Sequence, residues 1–210
     1  MALVVERFEI MSNCYVVRAD RASTEAVVVD PGGAAAELRL ELARAGARCA
    51  AILVTHADVD HVSGVADLAE GTGAPVYAPD PALMPEVRAQ GGGLFPPPRP
   101  YAVATTVADG STFEAAGISF ETLAVPGHSP DHVAFHADGA LFSGDLVMQG
   151  TVGRVDFPGG NWETLLASVR KLLDRFPPDT VVYPGHGAPT TLGDERDRNP
   201  FLAELRAAAP

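Results

Sequence analysis

The stretch "THADVDH" at Thr55–His61 gathers His56, Asp58, Asp60 and His61 into six consecutive positions. Imidazole and carboxylate groups packed this closely look built to hold metal ions. Three further donors stand in similar surroundings: His128 in "VPGHS", Asp145 in "LFSGD" and His186 in "YPGHG". Each follows an apolar run and borders a turn. A lone histidine in such a place is ordinarily structural. Several donors at the ends of expected strands are a different matter, because a sheet brings those ends together. This donor set suits zinc, iron or manganese, and no cysteine lies nearby to make a structural Cys-type zinc site. His132 and His136, the remaining two of the six histidines, read as structural residues in or beside a strand. His132 lies close enough to His128 in sequence to have a second reading, orienting a ligand from behind.

The elements that must position these donors follow from the hydrophobic pattern. "LVVERFEI", "CYVVRA" and "EAVVVD" read as strands, the last ending at the turn Asp30–Gly33. "AAAELRLELARAG" is helical, with Gly46 placed to terminate it. "AAILVT" is a buried strand that leads straight into the His/Asp cluster, so those donors sit on the loop leaving its C-terminal end, where open α/β sheets commonly bind ligands. A helical stretch, "VSGVADLAEGTG", leads to a strand at "PVYAP". The segment from Pro79 to Pro100 ends irregularly in Gly91–Pro100, a surface loop that is either a linker between halves or a lip over a cleft. The second half repeats the plan with strands at "ISFETLAV", "HVAFHA", "ALFSGD" and "TVVYPGHG". Its helix "NWETLLASVRKLLDRF" has Asn161 as cap and an apolar stripe of Leu165, Leu166, Val169, Leu172, Leu173 and Phe176. Two such halves predict an α/β fold of two sheets packed face to face with helices outside, a four-layer αββα sandwich.

Composition narrows the partners. The chain has 210 residues, 47% hydrophobic and 20% charged, as in ordinary soluble proteins. A formal net charge of -12 with no Lys/Arg run argues against nucleic acid or an anionic membrane and leaves a small-molecule substrate. Glu6, Arg7 and Glu9 interrupt what a signal peptide would need to be apolar, and no run of about 18 apolar residues offers a membrane span. Cys14 and Cys49 read as free core thiols, which fits a cytoplasmic protein. Oligomeric state is not legible.

The order His-x-Asp-x-Asp-His, PGH, GD, PGHG resembles the metallo-β-lactamase fold superfamily over essentially the whole chain, as a single domain spanning 1–210. Within it, "SNCYVV", "VGRVDFPGG" at Val152–Gly160 and "GHGAPTTLGDERDRNPFL" look like the glyoxalase II-like thioester hydrolases. The resemblance implies the αββα sandwich and a centre for two divalent metal ions. It assigns His56, Asp58 and His128 to the first ion, Asp60, His61 and His186 to the second, and Asp145 to a bridge between them. It also implies hydrolysis of a thioester or related acyl compound by a metal-bound hydroxide, with Asp60 orienting that nucleophile. Glyoxalase II proper continues into a helical region that grips glutathione. Here Gly187–Pro210 leave room for one helix around "NPFLAELRAA", so recognition by that means is not expected. Arg154 is a candidate for binding a substrate carboxylate, and equally for a structural ion pair. Tyr183 reads as strand core.

Position 58 departs from the family, which usually has histidine there. Three readings stand: Asp58 ligates directly and adds a carboxylate to the centre, Asp58 is too short and the first site is weak, or the centre is degenerate and the protein non-catalytic. With direct ligation, Asp58, Asp60, Asp145 and a bridging hydroxide cancel the charge of two divalent ions. That shifts preference from zinc toward iron or manganese. The competing activity is a persulfide dioxygenase using one iron on His56, His128 and Asp145.

Overall fold

Alternation along the central strands sorts their side chains onto two faces. The computed structural model describes residues 3–33, 35–89 and 96–207. Its first sheet runs in chain order: β1 (Val4–Glu9), β2 (Asn13–Arg18), β3 (Glu25–Val29), β4 (Arg48–Leu53), β5 (Val76–Ala78) and β6 (Thr105–Thr106). Pairing is antiparallel through β1, β2 and β3 and parallel from β3 to β6. The later strands are β7 (Thr112–Ala115), β8 (Ile118–Ala124), β9 (Val133–Ala137), β10 (Ala140–Gly144), β11 (Val147–Met148), β12 (Thr151–Val152), β13 (Val181–Pro184) and β14 (Thr190–Thr191). They form a second sheet in the order β7-β8-β9-β10-β13-β14, with β11 and β12 as a separate hairpin.

Three cores separate four layers. Cys14, Val16, Val28 and Ile52 face outward from the first sheet, against Leu38 and Leu42 of α1 (Ala35–Arg44) and Leu68 of α3 (Val65–Thr72). Their sequence neighbours Tyr15, Val17, Val27, Val29 and Leu53 point the other way and meet Phe120, Phe135 and Phe142 of the second sheet. Leu123, Ala134, Leu141 and Val182 then pack on Leu165, Val169 and Leu172 of α5 (Trp162–Arg175). Each fully buried leucine contributes roughly 1.5–3 kcal/mol. This is the αββα sandwich expected from the pattern. Asn161 caps α5 by accepting from the Thr164 N–H at 2.9 Å, and Gly46, at φ 65°, follows the end of α1. Both cysteines are free and buried, as expected. No helix among the described residues is long and apolar enough to cross a membrane.

The differences are local. After β5 the chain makes a 3-10 turn at Pro81–Leu83 and a short helix, α4 (Glu86–Ala89). The Gly91–Pro100 loop lies partly outside the described residues. The C-terminal helix is broken in two. Asn199 accepts from the Phe201 N–H and starts a 3-10 turn at Pro200–Leu202, which runs into α7 (Ala203–Ala207). Before it lies α6 (Leu192–Arg198), capped by Thr191 and ended by Pro200. Its charged sequence "LGDERDR" carries no apolar stripe and hid it from the pattern.

Candidate metal centre

The donors converge because four strand ends do. His56 leaves the end of β4, His61 lies on α2 (Val59–Val62), His128 follows β8, Asp145 follows β10 and His186 follows β13. Three overlapping groups result: His56, Asp58 and His128; His56, His61 and Asp145; Asp60, His61 and His186. In the first group Nε2 of His128 lies 3.1 Å and Nε2 of His56 3.8 Å from Oδ2 of Asp58. On the other side Nε2 of His186 is 3.1 Å and Nε2 of His61 3.7 Å from Oδ2 of Asp60. Asp145 stands between, its Oδ2 3.8 Å from His128 and 3.5 Å from His186, its Oδ1 3.4 Å from His61. All seven candidates thus come together, with Asp145 between the two outer groups.

The fit to a metal shows in what the buried atoms lack. Nε2 of His56, Nε2 of His61 and Oδ1 of Asp145 are buried without a hydrogen-bond partner among the described residues. Such orphans cost about 1–3 kcal/mol each unless something else satisfies them. The opposite ring nitrogens are all engaged, which fixes the tautomers. Nδ1 of His61 donates to Oδ2 of Asp30 at 3.0 Å. Oγ1 of Thr55 donates to the same oxygen at 2.6 Å, so at 3.0 Å it accepts from Nδ1 of His56. Nδ1 of His128 donates to the carbonyl of Arg154 at 2.7 Å. The Nε2 atoms of His56, His61 and His128 therefore point their lone pairs inward.

Burial holds the His56 imidazole neutral, well below its ordinary pKa. Burial opposes the charged form of His61 too, but Asp145 and Asp30 outweigh it and raise its pKa. Asp145 is held well below the carboxylate range, burial notwithstanding, chiefly by His61 and His186. Hydrogen bonding to Asp145 and Asp60 lifts His186 to about 9.

Close approach of two strand ends needs a glycine. A Cβ on Gly185 would lie 2.0 Å from Oδ1 of Asp145 and 2.7 Å from Cε1 of His61. The centre opens into a cleft of about 820 Å³ with Met11, Met148, Val152 and Phe157 in its wall.

Four residues at this centre escaped the sequence reading. Asp30 sits in turn sequence, although an aspartate just after an apolar strand occupies the same kind of position as Asp145. Thr55 is, by its sequence, only the end of a strand. Asp131 is buried and accepts from the Ala57 N–H at 2.9 Å and the Ser129 hydroxyl at 2.5 Å, tying the His56 loop to the His128 loop. Arg88 comes from α4 and grips Asp58 through both oxygens at 2.6 Å each. Nothing in its local sequence marks it. Burial pushes the Asp58 carboxyl up, but the His128 contact and the Arg88 charge outweigh that and hold it well below the ordinary range.

Arg154 is at the cleft but exposed, in a bidentate pair with Asp156 at 2.7 and 2.6 Å and with its guanidinium 4.1 Å from the Phe157 ring centre. His132 is fully buried with its ring centre 4.6 Å from that of His56 and tilted 45° to it, and neither of its nitrogens has a hydrogen-bond partner among the described residues. It packs against a donor rather than hydrogen-bonding to one. His136 stacks on Phe176, and Tyr183 on Phe142, within the body of the fold.

The model of the family described as "Metallo-beta-lactamase superfamily" matches residues 7–186. "Hydroxyacylglutathione hydrolase GloC" of Haemophilus influenzae is 34% identical over 203 residues, covering 90% of this chain and 92% of that protein. Among solved structures, "BLEG-1 B3 metallo-beta-lactamase" is similar at TM-score 0.84 and 34% identity, covering 95% of this chain and 100% of that one. "TTHA1623 in a di-iron-bound form" is similar at TM-score 0.78 and 38% identity, covering 96% and 100%.

Proposed function

The chain belongs to the metallo-beta-lactamase superfamily, and from that premise we propose that it is a metal-dependent hydrolase of acyl thioesters. The observation that carries the metal requirement is the set of inward, unpartnered donors: Nε2 of His56, Nε2 of His61 and Oδ1 of Asp145. His56, Asp58 and His128 would hold one divalent ion, Asp60, His61 and His186 the other, and Asp145 would serve both. The di-iron form of TTHA1623 and the carboxylate at Asp58 support iron or manganese over zinc. Ions held there supply Lewis acidity and a hydroxide usable near neutral pH.

The chain's own groups do the rest. Asp60 lines the cleft, where its carboxylate would accept a hydrogen bond from the attacking water and fix its approach to the acyl carbon. His186 steadies that carboxylate from 3.1 Å. Met11, Met148 and Phe157 offer apolar surface to an acyl chain or thiol carrier at the cleft. Water attacks the carbonyl, the C–S bond breaks, and acid and thiol leave. A thiol of pKa about 8.5 departs as thiolate with little acid assistance, which suits a site where Asp58 and Asp145 are held well below the ordinary carboxylate range. The hydroxyacylglutathione hydrolase relative supports the thioester class. We place the protein in the cytoplasm, acting on a small molecule.

The test is thiol release from hydroxyacyl-glutathione, acyl-coenzyme A and acyl-N-acetylcysteamine by metal-loaded protein. Release that a chelator abolishes and that Asp145→Ala loses is expected. Oxygen uptake with a glutathione persulfide, without thiol release from any thioester, would overturn the reading.

A further inference from the structure

The first group of donors differs from the second in already holding a cation. The Arg88 side chain is only 4% exposed. Its Nε and Nη2 donate to Oδ1 and Oδ2 of Asp58, both at 2.6 Å. Nη2 also lies 2.8 Å from Nε2 of His128, and Nη1 donates to the His128 carbonyl at 3.0 Å. Because Nδ1–H of His128 is committed to the Arg154 carbonyl, Nε2 presents a lone pair and the guanidinium is the donor to it. Both oxygens of Asp58 and the free nitrogen of His128 are therefore satisfied by one permanently charged group. Of the three donors His56, Asp58 and His128, His56 alone keeps an unpartnered nitrogen among the described residues. Among the described residues, no arginine or lysine pairs with Asp60 or Asp145.

We propose that Arg88 is a resident cation of the first site. It occupies Asp58 and His128 in place of an ion, so that the second site loads first and the first site admits an ion only when Arg88 withdraws. A divalent ion and a guanidinium cannot share these carboxylate oxygens and this lone pair; one must leave. First-site affinity is then scaled by the fraction of molecules with Arg88 withdrawn, and a fraction of about 1–10% weakens it roughly 10- to 100-fold. The pairing also gives the unusual residue at position 58 a role. A histidine there would offer the guanidinium no carboxylate to grip, whereas Asp58 matches its two-pronged donor geometry.

This rests on the reading of the centre as a two-ion site, but its test reads binding alone. The metal-free full chain is titrated with Mn(II) against a competing chelator, and bound ions are counted by elemental analysis. The expected wild-type isotherm has one tight event and a second event at least about tenfold weaker. Arg88→Met should tighten the second event about 10- to 100-fold and leave the first unchanged. Arg88→Lys, which keeps the charge but cannot span both oxygens, should fall between them. Electron paramagnetic resonance should show coupled Mn(II) pairs at lower metal concentration in Arg88→Met than in wild type. Two equally tight events in wild type would overturn the proposal. So would an unchanged or weakened second event in Arg88→Met, the latter making Arg88 an orienting residue of Asp58. If Arg88→Met does not fold, an isotherm of Arg88→Lys identical to wild type overturns it. A variant that binds two ions tightly and hydrolyses no thioester would count against the hydrolase reading and leave this one standing.

Discussion

Oδ2 of Asp30 lies 3.0 Å from Nδ1 of His61, and the same oxygen takes the Thr55 hydroxyl that in turn meets His56. One buried carboxylate thus sets the tautomers of two imidazoles that belong to opposite sides of the centre. It also holds the backbone, because its Oδ1 accepts from the Thr55 N–H at 2.7 Å.

Asp30→Asn separates the charge of this residue from its shape. Asp30 has a φ of 49°, and asparagine is among the few residues that adopt such a backbone readily. The variant should therefore fold, while its amide no longer secures the Nδ1–H form of both histidines. A loss of about 10- to 100-fold in metal affinity is expected at both sites. Competitive chelator titration checks it. Thr55→Val interrupts only the branch to His56 and should weaken the first site alone.

Asp58→Ala removes the proposed carboxylate ligand of the first ion and strands the Arg88 guanidinium in a buried place. Ion content should fall at the first site and persist at the second, by elemental analysis after dialysis. Breaking a buried pair by deleting one partner costs about 3–5 kcal/mol, so the metal-free variant should unfold at lower urea concentration. Arg88→Met on the same background should recover most of that loss, because no charge is then left unpaired. Unchanged ion content and stability in Asp58→Ala would refute this account of the residue.

The layers were legible in the sequence because the unbroken apolar runs in "CYVVRA", "EAVVVD" and "AAILVT" need a sheet covered on both faces. The seven candidate donors were legible because strand-end loops concentrate them in short motifs, and the structure brings them together. Arg88 was not. Its partner Asp58 is thirty positions away, and a lone arginine before a glycine-rich loop looks like any solvated residue. Asp30 and Asp131 fall between these cases. Both lie in turn-like sequence, where an aspartate serves local backbone turns as readily as a distant loop. The helix α6 was hidden for another reason: it is held by a cap and flanking packing rather than by an apolar stripe.

Gly185→Ala tests how closely the bridge is fitted. The new methyl would start 2.0 Å from Oδ1 of Asp145, so the carboxylate or the strand end must move. Since a displacement of about 1 Å in a reacting group can cost about 100-fold, thioester turnover should fall by that order. The core clusters do not include Gly185, so far-ultraviolet circular dichroism should stay near wild type. A variant with wild-type turnover would show that Asp145 does not need its present position.

The two thiols give a prediction away from the centre. Burial raises Cys14 well above an ordinary thiol and Cys49 to about 11. Both folded-state values exceed the unfolded one, so the unfolded chain gives up these protons first as pH rises. The stability they contribute is complete below the unfolded value, about 8.5, and is lost as pH climbs through the folded values. Urea unfolding should therefore show stability falling from about pH 8.5 upward, and Cys49→Ala should flatten part of that slope. The folded protein should also resist a thiol-reactive probe at pH 8 and react at both positions once unfolded, since the reagent needs a thiolate it can reach. Rapid labelling of Cys49 in the folded state would mean that the core behind β4 opens far more often than its packing allows.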